Sequence, residues 1–274
     1  IGLRDYVNKN KFPGVVIGIS GGIDSAFSTC VATDALGPDR VKGILMPSKF
    51  TSSESNEDAN ELGENLGIEL KSISIEEIVK AYDSTLDPLF KDSKKDITEE
   101  NIQSRARGSL LMAYSNKFGH MVLTNGNKSE VSVGYSTLYG DMCGGFSVVK
   151  DLYKSELYKL AEWRNNHVPS TSVLDKKSLI PQNILTKEPT AELKPNQMDK
   201  DTLPPYEELD KILYLLVERE SSISEIVDLG FEVDVVTKVQ NMLYNSEYKR
   251  RQAAPGVKIS ERNFGYDRRY PITN

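Results

Sequence analysis

The chain has 274 residues, 38% of them hydrophobic, with 40 acidic and 34 basic side chains and a net charge of −6. That length suits one large domain, or a domain with a modest extension, with enough apolar material for a real core. No apolar window is long enough to span a membrane, no signal-peptide pattern opens the chain, and the acidic balance argues against a generic nucleic-acid partner.

Gly14–Ile19 is a short β-branched run and predicts a buried first strand. Asp24–Leu36 follows with helical spacing of Ala26, Phe27, Cys30, Val31 and Leu36, and Gly37-Pro38 ends it. Val41–Met46 predicts a second strand, Ser53–Leu66 an acidic helix whose Glu54–Glu64 face is solvated, Ile68–Ser74 a third strand, and Glu76–Tyr82 a helix. Thr98–Phe118 predicts a long helix capped by Thr98, with Glu99 and Glu100 matching the positive end of its dipole. His120–Thr124 is the fourth strand. Strands alternating with helices at this spacing predict an α/β fold: a doubly wound, mainly parallel, Rossmann-like sheet with right-handed crossovers.

The second half has a different pattern. Helices are expected over Lys150–Asn165, Pro205–Glu220, Ile223–Leu229 and Asp234–Asn245, with residues 168–205 irregular and a strandless basic tail at the end. Residues 249–269 carry a net +5, so the rest of the chain carries −11. There is no internal repeat. The expected organisation is one domain over 1–274, with a sheet core over about 1–150 and a helical, irregular part over about 151–274 packed on it.

Two cysteines and two histidines give neither a disulfide framework nor zinc spacing, and a reducing, cytoplasmic setting is expected. His120 and His167 are expected to be structural. Trp163 and the stripe Tyr206, Leu209, Ile212, Leu213 and Leu216 belong to core or to a subunit contact.

The chemistry concentrates in two loops. Ser20-Gly21-Gly22-Ile23-Asp24-Ser25 joins the first strand to the first helix. Two glycines let the backbone approach a ligand closely, and the helix start offers free N–H groups to an anion. Ser20 and Ser25 add hydroxyl donors. Asp24 would repel a bare phosphate, which points to a metal ion between them. This is not a Walker A loop, and no GxGxxG is present. The blander possibility is a tight turn using glycine for geometry. The second loop, Thr124-Asn125-Gly126-Asn127-Lys128-Ser129-Glu130, follows the fourth strand, with Gly134–Asp141 after it. Strand four beside strand one would make the two loops face each other at the sheet's carboxyl edge, where ligands of such folds bind. Glu130 then either shares a divalent cation with Asp24 or is a solvated loop residue.

Ser-Gly-Gly-x-Asp-Ser after a first strand resembles the PP-loop, or N-type ATP pyrophosphatase, superfamily, with its adenine nucleotide alpha hydrolase-like fold. The remaining motifs resemble NAD synthetases more narrowly: Asn125-Gly-Asn-Lys-Ser-Glu130 with Gly134-Tyr-Ser-Thr-Leu-Tyr-Gly-Asp141, Asn101–Arg107, Lys187–Leu193 and Tyr248–Gln252. The resemblance covers residues 14–271. It implies ATP-dependent amidation of nicotinate adenine dinucleotide (deamido-NAD) to NAD through an acyl-adenylate, releasing AMP and pyrophosphate. The expected ATP contacts are Gly18, Ser20, Gly21, Gly22, Asp24, Ser25, Met46, Asn125, Lys154 and Thr190, with Lys154 on the leaving pyrophosphate. Asp24 and Glu130 would bind Mg²⁺, so Asp24, Glu130 and Lys154 form the catalytic set. Asn101, Arg105, Glu130 and Lys249 would hold deamido-NAD. Asn125 stands where the family usually has Thr. Leu138 replaces a lysine of the short ammonia-dependent members, which shifts the resemblance toward the glutamine-dependent subfamily, as does the tail Asn263–Pro271.

That subfamily implies an N-terminal glutamine amidase in a longer parent chain, supplying ammonia; its cysteine nucleophile is not among these residues. The resemblance also implies a homo-oligomer, at least a dimer, with no nucleic-acid or membrane partner. Asp141 either takes the ammonium proton or fixes its loop. The polar stretches 83–97 and 170–203 are expected to close over substrate. The competing functions are a tRNA-modifying PP-loop enzyme and a non-catalytic nucleotide sensor. The first needs a positive RNA-binding surface, and the second needs neither Asp24 nor Glu130.

Overall fold

In a computed structural model, which describes residues 1–91, 93–195 and 197–273, helix α1 (Gly2–Lys9) precedes strand β1 (Val15–Gly18) and helix α2 (Ile23–Leu36). β2 (Val41–Leu45), α3 (Ser53–Leu66), β3 (Glu69–Ser72), α4 (Glu76–Phe90), α5 (Ile97–Phe118), β4 (Met121–Thr124), α6 (Lys128–Val133) and β5 (Phe146–Ser147) follow. The remaining helices are α7 (Lys154–Asn166), α8 (Gln182–Thr186), α9 (Tyr206–Val217), α10 (Ile223–Asp228), α11 (Val233–Asn245) and α12 (Glu247–Arg250). All strand pairs are parallel, in the order β3-β2-β1-β4-β5. The chain works outward from β1 to β3 and then crosses to β4, so the switch point lies between β1 and β4.

Alternation along β1 builds two cores. Val15 and Ile17 face a cluster with α2, α7 and α8, while Val16 faces Ile44, Val122 and Leu111 of α5 on the other side. A sheet buried on both faces explains why its central strands read as unbroken apolar runs. β3 is the edge and is mostly exposed, with Glu69 paired to Lys42 and Lys71. The C-terminal helices have an apolar core of their own, around Leu209, Ile212, Leu213, Val236 and Val239, joined to the rest through Val133 of α6 and Tyr153. The stripe on α9 is therefore core, whereas Trp163 is 47% exposed and stacks on His167.

Several boundaries differ from expectation for identifiable reasons. The cap of α5 is Asp96 rather than Thr98: Asp96 accepts from Thr98 N at 2.8 Å, and Glu99 returns a bond to Asp96 N at 2.9 Å. α4 continues past Tyr82 to Phe90, with the Ser84 and Thr85 hydroxyls donating to the carbonyls of Lys80 and Ala81 one turn back. α7 starts at Lys154, because the carbonyl of Leu152 accepts from Lys128 N and holds the preceding residues in a turn. α1, α6, α8, α12 and β5 were not anticipated; α8 lies within the stretch expected to be irregular, and β5 is two residues long, too short for any periodicity.

The basic tail is tied down by acids inside and outside it. Lys258 pairs with Asp267, Arg262 and Arg268 share Glu220, and Arg250 and Arg251 share Glu247. Lys128 anchors this tail from below. Fully buried, its Nζ donates to Glu218 at 2.5 Å, Ser260 Oγ at 2.6 Å and the Arg262 carbonyl at 2.8 Å, and lies 3.2 Å from Asp151. Replacing Lys128 with Met leaves two buried carboxylates facing each other without a cation, so urea unfolding should show a loss of roughly 3–5 kcal/mol. A loss below about 1 kcal/mol would show that this cluster does not hold the tail.

Candidate functional site

The carboxyl ends of β1, β2 and β4 open into a cavity of about 1430 Å³. Every residue assigned by motif lies on its wall: the Gly18–Ser25 segment, Met46, Asn101, Arg105, Asn125, Glu130, Lys154, Thr190 and Lys249. The two loops do face each other across the switch point, as the strand order demands.

The glycine turn is shaped by contact as well as by freedom. Gly21 has φ +79°, and a Cβ there would stand 2.3 Å from the Ser55 carbonyl at the start of α3. A side chain is thus excluded twice over. Ser25 Oγ donates to the Gly22 carbonyl at 3.0 Å and accepts from Ser20 N at 3.2 Å, closing the turn on itself. The first intrahelical bond of α2 runs from Ala26 N to Gly22 O, so the N–H groups of Ile23, Asp24 and Ser25 have no helical acceptor. At β2, Met46 packs its Cε 3.1 Å from where a Cβ on Gly18 would lie, and its carbonyl accepts from Arg107 Nε at 3.0 Å. Asn125 Nδ2 donates to the Gly18 carbonyl at 3.1 Å, while its buried Oδ1 has no partner among the described residues.

Asp24, Glu130 and Lys154 meet at one point. Lys154 Nζ donates to Asp24 Oδ2 and to Glu130 Oε1, the latter at 3.2 Å. Asn127 supplies a further bond, donating to Asp24 Oδ1 at 2.6 Å. Asn127 also caps α6, accepting from Glu130 N at 3.0 Å, which aims Glu130 at Asp24. The Asn-x-x-Glu spacing of a capping box was the sequence signal for this helix. Beneath it, Ser129 donates to Asp210 and accepts from Lys154 N at 2.9 Å, so α9 sets the start of α7. Tyr135 and Tyr206 both donate to Asp199 beside the cluster, and the Tyr206 ring lies 5.1 Å from Lys154 Nζ.

Burial, reinforced by Asp24, pushes the Glu130 carboxyl up to about 8 despite the pull of Lys154. Burial alone would depress Lys154, but Asp24 and then Glu130 outweigh it and hold the ammonium above the ordinary lysine range. The lysine thus stands between two carboxylates, where a cation is favoured. Among the described residues no group of three His, Cys, Asp or Glu side chains could hold a metal. Two carboxylates alone suit Mg²⁺, which keeps waters and takes phosphate oxygens for the rest of its shell. The pair therefore fits that ion when phosphates are bound.

Asn101, Arg105 and Lys249 converge on a single turn. Asn101 Oδ1 accepts from Thr137 Oγ1 at 2.8 Å, Arg105 Nε donates to the Leu138 carbonyl at 3.2 Å, and Lys249 Nζ donates to the carbonyls of Gly134 and Ser136, both at 2.7 Å. Asp141 closes the same turn, accepting from Thr137 N at 2.6 Å. Thr190 donates to the Gln197 carbonyl in the stretch that borders the cavity. Of the two stretches expected to close over substrate, the first is largely α4, with Lys95–Ile97 on the cavity wall; the second contributes Lys187–Pro195 and Gln197. Asp92 and Asn196 lie outside the described residues. Burial and then Asp34 push the Cys30 thiol up to about 12, and burial also raises that of Cys143, which lines the cavity. His120 and His167 are not on the cavity wall.

A parallel sheet with a glycine turn and a carboxylate–lysine cluster facing each other at its switch point defines a Rossmann-like α/β protein with its candidate site where ligands of such folds bind. Comparison with known families narrows this: the NAD synthase family model matches residues 1–253, and the chain belongs to that family. A glutamine-dependent NAD(+) synthetase of Thermotoga maritima is 54% identical over all of this chain and 46% of its own length. A solved glutamine-dependent NAD+ synthetase of Acinetobacter baumannii, in complex with ADP, is 46% identical with a TM-score of 0.64, covering 99% of this chain and 48% of that one. An NH3-dependent NAD synthetase of Campylobacter jejuni is 26% identical with a TM-score of 0.69 and 94% coverage of both chains. The chain thus spans about half the length of the glutamine-dependent relatives and nearly all of the ammonia-dependent one.

Glu130 gives the site a pH signature. Its folded pKa of about 8 lies above the ordinary 4.5, so the stability it contributes is full below about 4.5 and is lost as pH rises through about 8. The stability difference between wild type and Glu130→Gln, from urea unfolding at several pH values, should therefore shift against the wild type across that window. A difference independent of pH would contradict the buried environment assigned to Glu130.

Proposed function

We propose that the chain amidates deamido-NAD to NAD at the expense of ATP, through an acyl-adenylate, with ammonia as nucleophile. The observation that carries this is the meeting in one cavity of the phosphate-type turn, the Asp24–Lys154–Glu130 cluster and the turn held by Asn101, Arg105 and Lys249. Its volume exceeds that of ordinary small-ligand pockets, as two nucleotide substrates require.

A carboxylate is a poor electrophile and must be activated. In the proposed reaction the nicotinate carboxylate attacks the α-phosphate, the bond to the bridging oxygen breaks, and pyrophosphate leaves. The N–H groups at the start of α2, with Ser20 and Ser25, receive phosphate oxygens. Lys154, held beside the turn by Asp24 and Glu130, would exchange these carboxylate partners for the charge growing on pyrophosphate. Asp24 and Glu130 would hold Mg²⁺, which neutralises the polyphosphate. Asn101, Arg105 and Lys249 place deamido-NAD through the Gly134–Leu138 turn. Ammonia then attacks the acyl carbon and AMP departs. No protein nucleophile is needed. In a longer parent chain glutamine would supply the ammonia through a separate amidase. A homodimer and a cytoplasmic setting complete the proposal. Among the described residues no helix is long and apolar enough to cross a membrane.

Incubation with ATP, Mg²⁺, ammonium and deamido-NAD should yield NAD, AMP and pyrophosphate; ADP and phosphate, or no turnover, would overturn the proposal. Lys154→Met should lower kcat by about a hundred- to a thousandfold, the usual cost of one preorganised electrostatic group. Asp24→Ala should abolish turnover in a folded protein, and an active Asp24→Ala enzyme would refute its placement in the catalytic set.

A further inference from the structure

The stretch Lys187–Leu193 lies on the cavity wall, and Glu192 fastens it to the start of α3. Glu192 holds a left-handed backbone, φ +48°, unusual for a residue other than glycine. Its Oε1 accepts from Ser52 Oγ at 2.9 Å and Ser55 Oγ at 2.8 Å, and its Oε2 from Ser52 N at 3.3 Å. Ser52 is the cap of the fourteen-residue α3, so the carboxylate sits on the positive end of a long helix. Lys187 Nζ donates to Ser55 Oγ at 2.6 Å and lies 3.8 Å from Glu192.

The other side of the strap is held by α5: Gln103 Nε2 donates to the Leu193 carbonyl at 2.9 Å, and Gln197 Nε2 donates to Glu100 at 3.0 Å. Thr190 lies within the strap, bonded to Gln197. The first turn of α3 in turn packs on the phosphate-type turn, since the Ser55 carbonyl is the atom that excludes a side chain at Gly21. Glu192, Ser55 and Gly21 are therefore mechanically continuous.

We infer that Glu192 is a positioning residue: by latching the strap onto the first turn of α3 it sets Thr190 against the Ser20–Ser25 loop and so prepares the ATP site. The inference rests on the function proposed above, but the latch can be read without turnover. A residue that merely caps α3 would affect thermal stability alone. A latch predicts that Glu192→Gln, which keeps the size and removes the charge, weakens ATP binding measured without deamido-NAD by about tenfold, the worth of one charge-assisted contact. KM for ATP should rise to match, kcat at saturating ATP should stay within about twofold, and trypsin cleavage after Lys187 should quicken. Glu192→Asp should recover part of the affinity. Ser55→Ala, which removes the same contact from the other side, should weaken ATP binding in the same direction and add little to Glu192→Gln; it also serves if Glu192→Gln fails to fold. ATP affinity unchanged in the folded variants overturns the latch, whatever happens to stability or cleavage. If the wild type makes no NAD while these variants still weaken ATP binding, the functional proposal fails and the latch stands.

Discussion

One buried ammonium, that of Lys154, decides how this molecule comes together. It stands at the start of α7, yet its partners come from the first turns of α2 and α6, which follow β1 and β4, so a single cation ties three helix starts to one point at the switch of the sheet. Without it, Asp24 and Glu130 would be two carboxylates facing each other in a half-buried cleft, and Glu130 is already pushed up to about 8, first by burial and then by Asp24. The surrounding structure serves to keep that cation in place. Asn127 orients Asp24, Ser129 and Asp210 fix the backbone of Lys154, and Lys128, one position after Asn127, is buried in a second cation site that binds the tail. Two neighbouring residues, Asn127 and Lys128, thus connect the cavity to the C-terminal helices.

The proposed reaction asks for little nucleophilic material from the chain, because its covalent intermediate would be built on the substrate while the protein provides position and charge. Groups of that kind work best where water is scarce and their geometry is fixed before the reaction begins, which describes a lysine only 3% exposed and bonded to two carboxylates. The same economy extends to the strap, where Glu192 adds its charge to the positive end of α3 that Ser52 already caps.

Much of this was legible in the chain. The central strands are short β-branched runs because parallel strands are buried on both faces, and the Gly-Gly turn announced itself by composition. The motif residues gather in one cavity because the order β2-β1-β4 brings their loops together. What stayed hidden depends on tertiary contact. Lys128 reads as an ordinary loop lysine until Glu218 and Asp151, distant in sequence, are seen to enclose it. Asp210 lies on an apolar stripe and shows nothing of its bond to Ser129. β5 exists because its two residues meet Leu123 and Thr124, and the tail's net +5 is offset by acids that lie partly outside it, Glu220 and Glu247 among them.

The central claim is that the carboxylate of the substrate is activated as an adenylate within this cavity. It is tested most directly by the fate of heavy oxygen placed in the carboxylate of deamido-NAD during one turnover with ATP and ammonium. The account predicts one labelled oxygen in AMP, carried by the bond that forms on the α-phosphate and later breaks at the acyl carbon. Label in pyrophosphate or phosphate, or AMP without label beside newly formed NAD, would contradict it.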